Sequence, residues 1–387
     1  MNTQTKLGEI ITQIRGVSYK PSDVRAAGDP DAVALLRANN IQEDGLNFDD
    51  LVWVDKQKVG AEQYLRLGDI LICSSSGSKG LVGKAAIVTS DLSCAFGAFC
   101  KVVRTKAEYA SYLGQFFRSP RYRKEISASA AGANINNIRN EHIDEMFISM
   151  PSANERAGCV AKLGQIDYLI QKTNNQSHQL DQIVKSRFVE MFGEPIANTH
   201  SLPLISLSEV GSWNSGGTPS RSNPAYFEGD IDWYSAGELN TLYLEGSVEK
   251  ITQDALENST AKLFPAGSML VGMYDTAAFK MGILKWSSAS NQACACIEPN
   301  NSIDIVWLYH VLQIMKPHFL EQRRGIRQKN LNLGMIKSFQ IPCASKPEQN
   351  RFAAFVTEVD KSKLAVKQSL EKLETLKKSL MQQYFGV

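Results

Sequence analysis

The chain has 387 residues, 43% of them hydrophobic, and 42 Lys and Arg against 40 Asp and Glu give a net charge of +2. That length suits two or three domains with ordinary cores, while a charge so near zero excludes a chain-wide electrostatic footprint for nucleic acid, so any such surface must be local. No apolar run approaches the roughly 18 residues of a membrane span, MNTQTKLGEI lacks a signal-peptide layout, and seven scattered cysteines with no C-x-x-C read as buried thiols of a cytoplasmic protein.

Residues 1–151 form a first variable block. Short apolar runs punctuated by Gly, Asn and Asp predict strands over Glu9–Ile14, Asp50–Val54, Asp69–Ser74, Gly83–Val88 and Phe99–Val103. Ala107–Phe117 reads as a helix, Ser127–Arg139 as a loop of small and polar residues, and His142–Pro151 as strand-like. Residues 152–193 then read as one long helix. The segment 194–344 opens with a linker, EPIANTHSL, and from about Pro203 repeats the order of elements: strand-like Leu204–Leu207, strands near Ser268–Tyr274, Gly282–Trp286 and Ala293–Ile297, and a helix over Val306–Leu320. A basic loop leads to the run Met335–Pro342 and to a second long helix, 345–387.

The two long helices are copies of one device. Ser152, Glu155, Asp167, Phe192 and Gly193 recur 193 residues later as Ser345, Glu348, Asp360, Phe385 and Gly386. Each copy opens with an S-x-x-E capping box and stops at Phe-Gly. A 3-4 spaced seam runs between, carried by Leu163, Ile166, Ile170, Leu180 and Val184 in one copy and by Val366, Leu370, Leu373 and Leu380 in the other. Each helix would be about 60 Å long, too long for the core of a compact domain. Turns repeat as well: Leu67-Gly68-Asp69-Ile70-Leu71 matches Ala266-Gly267-Ser268-Met269-Leu270. The loop side chains do not repeat, as two modules reading different targets would require.

Catalytic motifs fail on inspection. Asn223-Pro224-Ala225-Tyr226 approaches an adenine methyltransferase tetrapeptide, but alanine replaces its second proline and no cofactor loop accompanies it. Gly77–Lys84 departs from a phosphate loop at two positions, leaving a strand–turn–strand whose Ser76, Lys79 and Lys84 could meet a phosphate backbone. The five histidines are dispersed. Basic clusters follow a helix in both blocks: Arg118, Arg121 and Arg123 ahead of Asn136 and Asn137, then Arg324, Arg327, Gln328 and Lys329 ahead of Asn330. Lys and Arg suit phosphates, and Asn, Gln and Arg suit base edges.

Over essentially its whole length the chain resembles the specificity subunits of type I restriction-modification enzymes. Gly216-Gly217-Thr218-Pro219-Ser220-Arg221, Asn223-Pro224, Tyr226-Phe227, Ile231-x-Trp233, Asn291-Gln292-Ala293, and Pro342 with Glu348-Gln349 carry the resemblance; the first block has Glu155-Arg156 and no GGTP. It implies an α+β fold of two tandem α/β target recognition domains, 1–151 and 194–344, joined by two long helices in an antiparallel coiled coil with pseudo-twofold symmetry. It further implies a non-catalytic subunit that reads a split, asymmetric site in double-stranded DNA. Thr218, Ser220, Arg221, Tyr274 and Lys280 join the candidate DNA contacts. The chain itself would bind no cofactor or metal; two modification subunits would use S-adenosylmethionine, and restriction subunits ATP and Mg. A type IIB recognition subunit has the same architecture and is the alternative.

Overall fold

The computed structural model describes residues 3–43, 45–78, 80–129, 136–322 and 330–386. The chain divides into two units, Met1–Gln176 with Val366–Val387, and Ser177–Ala365. Both mix helix and sheet and both use a stretch of each long helix.

In the first unit an antiparallel sheet runs in the order Ile11–Arg15, Cys100–Thr105, Ile70–Cys73, Ala85–Ile87. The middle strand is buried on both faces, and its alternation sends side chains two ways. Ile70 and Ile72 join Val103, Tyr112, Leu113 and Phe116 under the helices. Leu71 and Cys73 join Leu36, Ala86, Phe96 and Val102 on the other side, toward a second sheet of Val52–Asp55, Ala32–Leu36 and Cys94–Phe96. The second unit has the same frame. Gly211–Ser215, Cys294–Pro299, Met269–Gly272 and Met281–Leu284 lie in the same order, with Tyr243–Leu244 added at the edge. Beneath lies a sheet of Glu249–Ile251, Ile231–Tyr234, Ser288–Ser290 and Leu263–Phe264. The repeated turns agree in detail. Gly68 and Gly267 sit at φ +86° and +85°, a left-handed conformation that glycine adopts without strain, and donate to the carbonyls of Val88 (2.9 Å) and Leu284 (2.8 Å).

Each block is tied shut at its base. Thr3–Lys6 pairs antiparallel with Phe147–Met150 in the first unit, and Leu204–Ser206 with Gln340–Pro342 in the second. Entry and exit therefore meet where the long helix begins. There the predicted caps form: the Ser152 N–H and hydroxyl donate to Glu155 at 2.9 and 2.7 Å, and those of Ser345 to Glu348 at 3.3 and 2.6 Å. The next residue fastens block to helix. Gln349, fully buried, accepts from the Asp304 N–H at 2.7 Å and donates to the Ala344 carbonyl at 2.8 Å. Its counterpart Arg156 donates to the Pro151 carbonyl at 2.8 Å, with its guanidinium 3.8 Å from Glu108 and 5.0 Å from the Tyr109 ring. An amide and a guanidinium thus do the same work in the two copies.

The long helices, Ala153–Phe192 and Lys346–Phe385, pack against each other and run antiparallel within each unit. In the first unit, Asp167 binds Lys377 at 2.7 Å, and residues 155–162 line a groove with Gln383 and Tyr384. Cys159, Leu163, Met381 and Phe385 complete the core there. In the second, Asp181 binds Lys363 at 2.6 Å, while the Phe188 and Phe192 rings lie 5.3 and 5.7 Å from Phe352. Of the expected seam, Leu163, Ile166 and Val184 are buried, and Ile170, Leu180, Val366, Leu370, Leu373 and Leu380 are half-buried.

Several expectations need correction. Leu7–Glu9 is a 3-10 turn, so the strand predicted over Glu9–Ile14 starts at Ile11. The predicted loop Ser127–Arg139 includes the end of a helix, Pro120–Ser129, and the short strand Asn136–Asn137. His142–Pro151 is not strand-like throughout: Asn140–Asp144 is helical before Phe147–Met150 extends. Both helices are marked by apolar side chains, Tyr122 and Ile126 in one and Ile143 in the other, that reach the core beneath them.

Candidate nucleic-acid interface

In both units the central strand of the larger sheet ends in a loop that a returning segment clasps. In the first unit Ser75–Ser76 pairs antiparallel with Asn136–Asn137, and the Ile138 N–H donates to the Ser74 carbonyl at 2.8 Å. Arg123 reaches in from the helix below, donating to the carbonyls of Val82 (2.7 Å) and Gly80 (2.8 Å). Gly83, at φ +81°, lets the chain turn back beside Ile126. Lys84 points the other way, toward the Ile41 carbonyl at 3.4 Å. Ser75, Ser76 and Asn137 are thereby brought together on a braced backbone.

The second unit repeats the clasp with other residues. The Leu331 N–H donates to the Met273 carbonyl at 2.8 Å, and the Asn330 side chain accepts from the Asp275 N–H at 2.9 Å. Asp275 and Phe279 adopt φ +47° and +55°, a region a bulky side chain enters only when its surroundings hold it there. Phe279 is held by burial against Phe319, the ring centroids 5.2 Å apart. Between these anchors Tyr274, Asp275 and Thr276 are exposed, and Lys280 closes the loop by donating to the Gly237 carbonyl at 3.3 Å.

Other predicted contacts are bonded within the fold, Arg118 and Arg121 with largely covered side chains and Ser220 and Arg221 at the surface. Arg118 bridges Asp167 and the Glu43 carbonyl, both at 2.8 Å. Arg121 binds Glu125 and the Phe147 carbonyl, both at 2.8 Å, and the Phe385 carbonyl at 3.3 Å. Arg221 forms a bidentate pair with Glu249 at 2.5 and 2.7 Å and lies 4.2 Å from the Phe227 ring. Thr218 hydrogen-bonds Gln292, and Ser220 hydrogen-bonds Ser222 at 2.7 Å. Lys79, Arg324, Arg327, Gln328 and Lys329 lie outside the described residues, as does the side chain of Asn136.

The conspicuous motif of the second block is scaffolding too. Gly216 and Gly217 donate to the carbonyls of Cys294 (3.1 Å) and Ser290 (2.9 Å), and a side chain at either would collide with the backbone of Asn291 or Thr260. Trp233 donates to the Gly217 carbonyl at 2.9 Å. These residues join the two sheets.

Sequence reasoning passed over Lys101, which is buried and donates to Gln13 and Asn140, both at 2.8 Å. Burial pulls its ammonium down to about 8, against the opposing pull of Asp144 and Glu141. It also passed over Phe99, which is 68% exposed beside the first loop. Burial pushes the Cys94 and Cys159 thiols up to about 11, so neither offers a nucleophilic thiolate. Among the described residues no cluster of His, Cys, Asp and Glu could hold a metal ion. No helix among them is long and apolar enough to cross a membrane.

Residues 204–376 match the family model described as the type I restriction modification DNA specificity domain. The StySPI specificity subunit of Salmonella potsdam is 34% identical over 207 residues, 53% of this chain and 45% of that protein. The EcoKI specificity subunit of Escherichia coli (strain K12) is 38% identical over 177 residues, 46% of this chain and 38% of that protein. The matches thus span less than half the length of these relatives. The fold is that of the type I restriction-modification S subunit from M. genitalium, with a TM-score of 0.57 at 14% identity, covering 99% of this chain and 96% of that one. A chain from a study of type I assembly and conformational transition follows at 0.55 and 15%, covering 99% and 97%.

Proposed function

We propose, starting from a chain that carries a type I DNA specificity domain over residues 204–376 and is related to type I specificity subunits, that it is the non-catalytic reader of a split, asymmetric DNA site. The observation that carries the reading is the clasped loop. The same strand end in the same frame presents Ser75–Ser76 with Asn137 in one unit and Tyr274–Thr276 with Asn330 in the other. A common frame places each loop on a duplex and unlike tips read unlike half-sites, with each good base contact contributing about 1–3 kcal/mol of discrimination. The blocks 1–151 and 194–344 serve as target recognition domains, and the helices 152–193 and 345–387 as the spacer.

With a net charge of +2, the chain alone holds few counterion-releasing contacts, so much of the affinity comes from partners in the complex. Those partners are two modification subunits, which carry S-adenosylmethionine and methylate adenine, and restriction subunits that use ATP and Mg, in the cytoplasm.

Methylome sequencing of cells expressing the chain with its modification subunit tests this. Wild type yields two different half-sites and a fixed spacer. Tyr274→Ala changes one half-site only. Inserting one helical turn, about 5.4 Å, near Ser177 leaves both half-sites and alters the spacer. Folded Tyr274→Ala protein that changes both half-sites would refute separate reading.

A further inference from the structure

A lone exposed apolar side chain needs no explanation on a protein surface. Phe99 differs from Leu67, also exposed in the first unit, in where and how it is held. Leu67 precedes the central strand Ile70–Cys73, at the end away from the clasped loop. Phe99 lies in the turn from Gly97 to Cys100, closed by the Cys100 N–H to Gly97 carbonyl bond at 2.8 Å, against the loop itself. Its carbonyl accepts three hydrogen bonds from that loop: the Ser74 N–H at 2.9 Å, the Ser75 N–H at 3.1 Å and the Ser74 hydroxyl at 3.0 Å. The backbone is thus fixed to the base of the loop while the residue as a whole is 68% exposed and adds little to the core.

The second unit keeps the frame and changes the side chain. There the Met273 N–H donates to the Ala293 carbonyl at 2.9 Å, as Ser74 does to Phe99. The position is therefore built into both units and filled by a large apolar group in one and a small one in the other. In the major groove, an apolar side chain long enough to reach the base edge recognises the C5 methyl group of thymine, the one apolar feature there.

We infer that Phe99 is a specificity-determining contact of the first unit, packing its ring on a thymine methyl group in that unit's half-site. The inference rests on the DNA-reading function proposed above. Adenine methylation within a half-site places at least one thymine opposite the target, so such a group is present.

The test uses the full chain assembled with its modification subunit, on duplexes carrying the site mapped for wild type. Each thymine of each half-site is replaced in turn by uracil, which lacks only the methyl group. Wild type loses about fourfold in affinity at one thymine of the first half-site, the worth of one buried methyl group. Phe99→Ala binds the thymine duplex about tenfold more weakly, within the range for one lost base contact. It no longer distinguishes uracil there, melts like wild type, and responds as wild type does to uracil in the second half-site. Phe99→Leu, still apolar, keeps the discrimination. Unchanged affinity and uracil response in Phe99→Ala overturn the inference while the reading function stands. So does a Phe99→Ala protein that loses the modification subunit, which would make the ring a protein contact. Wild type that binds all the uracil duplexes as it binds the thymine duplex overturns the inference and leaves the reading function standing; wild type that does not distinguish the mapped site from an unrelated duplex removes both.

Discussion

Phe385 lies in the C-terminal helix, yet its ring is 2% exposed and stands 5.2 Å from Tyr112 and 5.9 Å from Phe116, all in the first unit. Its repeat counterpart Phe192 stands 5.0 Å from Phe188, 5.7 Å from Phe352 and 6.3 Å from Trp307, all in the second. Truncating a buried Phe to Ala costs about 3–5 kcal/mol, equivalent to roughly a hundred- to a few-thousand-fold in an opening equilibrium. Hydrogen exchange on the full chain reads this locally. Phe385→Ala speeds exchange in Cys100–Thr105 and leaves Cys294–Pro299 as in wild type; Phe192→Ala does the reverse. If either variant loosened both strands alike, the two cores would not be separate, and assigning the chain's end to the first unit would be wrong.

Leu373→Asp puts a carboxylate on the half-buried seam and destabilises the first unit by about 1–3 kcal/mol. Calorimetry checks it against Lys372→Asp on the exposed face, which leaves the melt unchanged. Burial, and then the Lys363 ammonium, lower His310 to about 4 from its ordinary 6.5. A group that protonates more readily unfolded than folded loses its contribution as pH falls, here between about 6.5 and 4, by at most about 1.4 kcal/mol per pH unit. Urea unfolding at pH 7.5 and 5.0 therefore shows a larger loss for wild type than for His310→Gln; equal losses would refute the assignment.

The long helices were legible because capping and period are local. Ser152 with Glu155, Ser345 with Glu348 and a 3-4 seam bound them to within a residue or two of Ala153–Phe192 and Lys346–Phe385. Ala32–Leu36 was missed because an Ala-Leu run has little strand character of its own. Pairing with Val52–Asp55 and Cys94–Phe96 makes it one. Pro120–Ser129 was obscured by its charges. The motifs that carry the resemblance to a family, from Gly216-Gly217 to Gln349, hold sheets and helices together, which is why they stand out. Charge type pointed to Arg118, Arg121 and Arg123, and no sequence rule says that their guanidiniums bind carbonyls of their own unit. Phe99 carried no local signal, since only the fold sets it beside Ser74.

The closing of the first unit by residues 366–385 reverses the usual order of assembly during synthesis. A growing chain releases its N-terminal part first, and domains commonly fold as they emerge. Here Ser177–Ala365 is continuous and can fold once released. The earlier residues must wait, with Tyr112, Phe116 and Leu163 uncovered, until Met381 and Phe385 have been made. Every nascent chain thus passes through a stage in which its second unit is complete and its first is open. A product cut short before residue 366 would stay there, with one folded head and an apolar pocket exposed to chaperones and proteases.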